Sequence, residues 1–209
     1  MSYGKVTGGL IVQDTLWGVR SMLVKLGDIC SFKNGGTPKK SIPEYWVGEI
    51  PFITGADIDE EYGTVTEPRG YITEQAIEAS STNLIPTDSI LLVTRTGVGK
   101  VAIPPFPVCI SQDFTALFFD QNKVNQRFLF HILRSAKDEF VRQARGATIQ
   151  GITRDVVTNL EFELPELEEQ KRIAKILDKT LNGKLNAKTL MDNYDNAYLA
   201  FSQSLLENR

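Results

Sequence analysis

The sequence predicts an α+β protein: a mixed, largely antiparallel sheet domain followed by a long C-terminal helix of coiled-coil character. Three observations carry this expectation. Short apolar runs bounded by glycine and proline recur between residues 26 and 119, the pattern of strands joined by tight turns. One apolar stripe at spacings of three and four follows, over Asn125 to Arg145. Beyond Pro165 no proline interrupts the chain, and apolar residues recur every four positions.

Taken in order, residues 1–21 show no periodicity, and Met22-Leu23-Val24-Lys25-Leu26-Gly27-Asp28 reads as a fresh start. Residues 1–21 are therefore expected to be a leader or extension. A domain over residues 22–164 follows. Asp28 to Phe32 reads as one short element, and Asn34-Gly35-Gly36-Thr37-Pro38 as a loop. Ile50 to Thr54 is strand-like, with Pro51 removing a ladder donor and suggesting an edge. Thr73 to Ala79 predicts a short helix. Ser89 to Thr94 is almost continuously apolar, as a strand buried on both faces would be. Gly97-Val98-Gly99 is a turn. Lys100 to Ile103, Val108 to Ile110 and Thr115 to Phe119 are further strands.

The helix over Asn125 to Arg145 places Leu129, Ile132, Leu133, Ala136 and Phe140 on one stripe. Arg127, Arg134 and Arg145 are expected on another face, and Gly146 ends the helix. His131 lies beside the stripe and reads as a half-buried structural residue. Pro165 suits the start of the last helix, residues 165–209, where its missing donor costs nothing. Ile173, Leu177, Leu181, Leu185, Leu190, Tyr194, Tyr198, Phe201 and Leu205 form its stripe. At ~1.5 Å per residue this helix reaches about 60 Å, too long to lie on so small a domain throughout. Its stripe calls for another helix. Asn182 and Gly183 are the expected weak points.

Composition narrows the function. The chain has 209 residues, 42% apolar and 23% charged, enough for a core without staples. Cys30 and Cys109 cannot build a disulfide framework or a four-ligand zinc site, which favours a reducing compartment. A single histidine, His131, excludes His-pair metal sites. No apolar run is long enough to span a membrane. The net charge of −3 hides a segregation. Glu44 to Asp88 carries ten acids and one base, a balance of −9, whereas Gln121 to Arg154 carries seven bases and two acids, +5. Lys33, Lys39 and Lys40 form a smaller basic cluster. One face of the molecule could thus meet an anion; a merely solvated charge distribution is the alternative.

Familiar catalytic motifs fail on inspection. Gly97-Val98-Gly99-Lys100 lacks the upstream glycine and the following hydroxyl of a phosphate-binding loop; Thr94 and Val101 stand there. Gly97-x-Gly99-x-x-Ala102 is followed by prolines rather than the helix a dinucleotide fingerprint opens. Ile103-Pro104-Pro105-Phe106 has no polar group in front of its prolines to hold a target amine. Asp57-Ile58-Asp59-Glu60-Glu61 lacks the spacing of a calcium loop and reads as a solvated acidic turn. The missing chemistry favours a binding module over an enzyme.

An ordered series of short strings remains. Leu26-Gly27-Asp28-Ile29 leads to Gly35-Gly36-Thr37-Pro38, Tyr45-Trp46, Ile50-Pro51-Phe52-Ile53-Thr54 and Asp57-Ile58. Ser80 to Pro86, Leu91 to Lys100 and Ser111-Gln112-Asp113 come next. Gly146 to Ile152 and Leu164-Pro165-Glu166-Leu167-Glu168-Glu169-Gln170 to Ala174 complete it. In this order they resemble the specificity subunit of type I restriction–modification enzymes, over about residues 22–206. The resemblance implies a target recognition domain followed by a spacer helix, in a half-subunit with one copy of each. It implies a non-catalytic, cytoplasmic protein that binds double-stranded DNA. Its partners would be adenine methyltransferase and restriction (translocase) subunits, which would hold S-adenosylmethionine, ATP and magnesium; the chain itself needs no cofactor or metal. The unpaired helix stripe then predicts an antiparallel homodimer. A helix-mediated assembly protein that binds another protein is the rival reading, and a nuclease fragment a third.

On that resemblance, the basic or glycine-bearing breaks are the expected DNA contacts. They are Lys39 and Lys40; Thr94, Arg95 and Lys100; Gln112; and Arg145, Thr148, Gln150 and Arg154. Lysine and arginine suit phosphates, and the amides and hydroxyls suit base edges.

Overall fold

The computed structural model describes residues 12–14, 20–145 and 151–207, with side chains over 20–145 and 151–196. Strand β1 (Val12–Asp14) pairs antiparallel with β2 (Arg20–Lys25), and β2 pairs with β13 (Glu161–Pro165). β1 lies within residues 1–21, read from the sequence as a leader or extension, and β2 begins at Arg20, ahead of Met22; Ser21 is buried with its hydroxyl on Glu163 at 2.9 Å. Asp28 to Phe32 divides into a single turn, α1 (Leu26–Ile29), and a strand, β3 (Cys30–Asn34).

A four-stranded antiparallel sheet in the order β10-β9-β12-β3 forms the centre, from β9 (Ile90–Val93), β10 (Val101–Ala102), β12 (Phe114–Phe119) and β3. A second sheet, β7-β4-β11-β8, holds β4 (Ile50–Ile53), β7 (Gly70–Ile72), β8 (Leu84–Ile85) and β11 (Val108–Ile110). Its β4–β11 pair is parallel, and β4 lies between β7 and β11, so Pro51 sits in an inner strand, opposite Tyr71, rather than at an edge. β5 (Ile58–Asp59) and β6 (Thr64–Val65) make a small ribbon. Alternation along β9 explains its unbroken apolar run. Ile90 and Leu92 join the core beneath the helices, whereas Leu91 and Val93 face Ile53, Val108 and Ile110 of the second sheet. Both faces are dry, so no polar residue is tolerated. The mixed, largely antiparallel α+β class and the long terminal helix are as expected.

The short helix α2 (Glu74–Glu78) is capped by the Thr73 hydroxyl. The helix expected over Asn125 to Arg145 is two: α3 (Gln126–Ser135), capped by Asn125, and α4 (Lys137–Gln143). Ala136 leaves the helical region at ψ 0°, and the Ser135 hydroxyl bonds back to the Ile132 carbonyl at 2.8 Å. The break lets Phe140 enter the core, where it is 1% exposed. Tertiary burial overrides a periodicity that fits one helix. Gly146 lies outside the described residues. After α5 (Arg154–Thr158) and β13, α6 runs unbroken from Leu167 to Glu207. Pro165 is therefore the last residue of a strand, opposite Ser21, and not the start of the helix. Neither Asn182 nor Gly183 interrupts α6.

The stripe of α6 has two fates. Ile173, Ala174 and Leu185 are wholly or partly buried in the domain, while Leu177, Leu190 and Tyr194 are exposed. The side chains of Tyr198, Phe201 and Leu205 lie outside the described residues. No helix among the described residues is long and apolar enough to cross a membrane.

Candidate nucleic-acid interface

The turn from β9 to β10 is shaped by backbone chemistry. Gly97 and Gly99 have φ +101° and +87°, and Gly99 lies so close to Lys137 that a Cβ would stand 2.8 Å from its Cγ. Thr96 is the unusual residue, at φ +30° with a β-branched side chain. Its hydroxyl reaches the Asp113 carboxylate at 3.4 Å. Strain of this kind accumulates where a loop is aimed for function. Thr96→Gly is expected to raise stability by about 1 kcal/mol, because glycine adopts this conformation without strain. Equilibrium denaturation checks it; a loss of stability would mean that the threonine hydroxyl outweighs the backbone strain.

Next to this turn, the amide and carbonyl of Arg145 exchange hydrogen bonds with those of Gly151 at 2.9 and 3.0 Å. Ile152 donates its amide to the Thr94 carbonyl at 2.9 Å. These bonds bring Arg145 and Gly151 beside Thr94 and Arg95; Thr148 and Gln150 themselves lie outside the described residues. A cleft of about 170 Å³ opens here, lined by Asn34, Arg95, Gln112, Thr115 and Arg154 over a floor of Phe32 and Phe114.

Arg154 is held in place within the cleft. Its guanidinium lies over the Phe32 ring at 5.3 Å, and Nη2 donates to Asn34 Oδ1 at 2.8 Å. Asn34 is fixed in turn by the Thr115 hydroxyl at 3.2 Å. A stacked, hydrogen-bonded guanidinium loses less rotamer freedom on meeting an anion or a base edge. Arg95, Arg145 and Arg154 are exposed, and among the described residues none of them is in an ion pair.

Four of the expected contacts therefore meet in one place: Arg95, Gln112 and Arg154 line the cleft, and Arg145 borders it. The others differ. Thr94 also lines the cleft but is 8% exposed, and its hydroxyl and amide go to the Asp113 carbonyl, so it straps the turn together. Lys100 donates to the Gly55 carbonyl at 3.4 Å. Lys39 and Lys40 are exposed, and Lys40 lines a separate open groove with Trp46, Arg69 and Tyr71. Gly35 and Gly36 are not an anion cradle: their amides donate to the carbonyls of Phe114 and Ile110, both at 3.0 Å. A Cβ on Gly35 would stand 2.1 Å from the Ser111 carbonyl oxygen, which explains the glycine.

The expected basic helix face is not free either. Arg127 forks onto Asp178 of α6, with Nε at 3.0 Å from Oδ1, and stacks on Phe130. Arg134 donates to the Glu61 carbonyl at 3.0 Å. His131 Nε2 lies 2.7 Å from Asp178, consistent with the structural role expected for it. Burial pushes the His131 pKa down, with Asp178 opposing and Arg127 and Arg134 reinforcing. For Asp178 burial pushes upward, but the bonds from Arg127 and His131 and the charge of Arg127 outweigh it and hold the carboxylate below its ordinary range. The acidic run is not merely solvated. Glu60 pairs with Lys137, Glu61 pairs with Lys188, and Asp57 is 2% exposed. Sequence reasoning missed Phe32, Asn34 and Asp178. Nothing local marks them, since each acquires its role from a partner at least 47 positions away.

Residues 19–190 match the family described as the type I restriction modification DNA specificity domain. The chain belongs to this family. As a specificity domain it is 32% identical, over 161 residues, to the Escherichia coli type I restriction enzyme EcoR124I/EcoR124II specificity subunit. That match covers 74% of this chain and 39% of the relative. It is 30% identical over 155 residues to the MjaIX specificity subunit of Methanocaldococcus jannaschii, covering 73% of this chain and 36% of the relative. The chain thus spans well under half the length of these relatives. Among solved structures, the HsdS subunit from Thermoanaerobacter tengcongensis shares the fold at TM-score 0.61 and 23% identity. It covers 79% of this chain and 38% of that one.

Proposed function

We infer that this specificity domain is a non-catalytic DNA-recognition module that reads one half-site of a double-stranded target. It would serve in a cytoplasmic type I restriction–modification complex. The observation that carries the reading is the convergence of Arg95, Arg145 and Arg154, exposed and, among the described residues, without carboxylate partners, around a cleft that also offers Gln112 and Asn34. Guanidiniums supply phosphate or guanine contacts, and amides supply base-edge donors and acceptors. The methyltransferase and restriction subunits would bring S-adenosylmethionine, ATP and magnesium. The domain from β2 to β13, residues 20–165, would be the recognition domain, and α6 from Leu167 the spacer helix.

The exposed Leu190, Met191 and Tyr194 support a helix partner, and a second copy in antiparallel orientation satisfies closed two-fold symmetry. The target would then be an interrupted palindrome. Leu190→Glu with Tyr194→Glu is expected to abolish self-association at tens of micromolar in sedimentation, leaving the domain folded. An unchanged dimer would place the interface elsewhere. The same exposed face favours the rival, an assembly protein docking another protein. Co-expression with the cognate methyltransferase subunit, followed by sequencing for methylated adenines, tests the main reading. A salt titration separates the two: DNA affinity falls steeply with salt, whereas an apolar protein contact does not.

A further inference from the structure

The long helix is joined to the domain by directional polar contacts that burial of its stripe does not require. Gln170 is fully enclosed, at 0% exposure. Its Oε1 accepts the Asn125 amide at 2.8 Å, and its Nε2 donates to the carbonyls of Lys123 at 2.9 Å and Pro165 at 2.8 Å. One side chain thereby ties together the end of β13, the N-cap of α3 and the first turns of α6. About two turns further on, Asp178 receives the Arg127 fork and His131 from α3. About three turns beyond that, Lys188 pairs with Glu61, next to the buried Leu185. Beyond this point Leu190, Met191 and Tyr194 are exposed.

Apolar contact resists separation but is non-directional, so by itself it tolerates rotation and sliding. Hydrogen bonds of fixed geometry do not. Attachments at 170, 178 and 188 spread over roughly 27 Å of helix and fix its direction, not only its position. The lever is sensitive. A swing of about 10° at the clamp moves a point about 30 Å away by about 5 Å, more than the ~3.4 Å step of one base pair.

We propose that Gln170 and the Arg127–His131–Asp178 cluster are positioning residues that fix the angle of the recognition domain on α6, and so the gap between the two half-sites the assembled protein reads. This rests on the specificity reading above and adds to it the residues that hold the angle. None of them touches DNA in this assignment; they act through the rigid junction between domain and helix.

The test is a methylome. Wild-type chain, Asp178→Asn, and the double variant Gln170→Leu with Asp178→Asn are each co-expressed with the cognate methyltransferase subunit, and methylated motifs are mapped. The wild type should use one gap length. The double variant should keep the same half-site bases but methylate motifs one base pair longer or shorter about tenfold more often, the scale of one lost charge-assisted hydrogen bond. Asp178→Asn alone, which removes only a partly exposed charge, should shift in the same direction and covers the case in which the double variant does not fold. If folded variants methylate less but only at the wild-type gap, the residues are merely structural and the assignment falls while the reading stands. If neither variant uses an additional gap length, the assignment falls likewise. If the wild type methylates no motif at all, both fall.

Discussion

Replacing both Arg95 and Arg154 with alanine is expected to weaken binding of the target duplex about 10- to 100-fold near physiological salt, and to flatten the salt dependence by roughly two units of slope. The two guanidiniums line one cleft, and among the described residues neither is neutralised by a carboxylate. Arg154 is pre-organised by Phe32 and Asn34, so its alanine variant loses a contact whose ordering is already complete in the free protein. The measurement is a competition titration of the assembled complex at several salt concentrations. A uniform loss over all sequences identifies phosphate contacts; a loss confined to one base position identifies base readout. Wild-type affinity and slope in the double variant would remove this cleft from the interface. Lys100→Ala should matter less, because its ammonium is already donated to the Gly55 carbonyl.

Asp57→Ala is expected to lower stability by about 3 kcal/mol, the scale of breaking a buried ion pair. The carboxylate accepts from the Thr54 amide and hydroxyl, both at 2.8 Å, and from Arg69 Nε at 2.7 Å, closing the turn that follows β4. Arg69 is largely exposed and can rehydrate when its partner is lost, whereas the Thr54 amide loses its acceptor; this holds the cost to the lower part of the range. The contribution depends on pH. Burial pushes the Asp57 pKa up, but hydrogen bonds from Arg69 and Thr54 and the charge of Arg69 bring it below the ordinary value. A carboxylate depressed on folding stabilises above the unfolded-state pKa, about 3.9, and that stability is lost as pH falls through the folded value. Urea denaturation at pH 7 and near pH 3 should therefore show a large gap between wild type and Asp57→Ala that narrows in acid. A gap that is constant with pH would mean that the aspartate acts by packing, not by charge.

The sequence by itself determined the class of the fold, the apolar strands around β4, β9, β10, β11 and β12, and nearly the whole length of the last helix. Ile90 to Val93 can only be a strand between two apolar layers, and nothing between Leu167 and Glu207 breaks a helix strongly enough to stop it. These are local properties, set by periodicity and by the presence or absence of glycine and proline. The ordered strings also carried the family, and several mark a turn or a close approach that the backbone needs. Gly35 against the Ser111 carbonyl and Gly99 against Lys137 are examples.

Which charges are available for binding was decided only by the tertiary structure. Arg127, Arg134 and Arg154 are alike in sequence, all basic and all near the +5 stretch. Folding brings Asp178 and the Glu61 carbonyl onto the first two, and Phe32 with Asn34 under the third. Two are thereby committed to holding the molecule together, and one is left presented to solvent. The division of Asn125 to Arg145 at Ala136 and the two fates of the α6 stripe have the same origin. Periodicity states which residues are apolar, but which surface covers them depends on contacts across long stretches of chain. A charge or a methyl group has no function until its neighbour is known, and those neighbours are supplied by the fold.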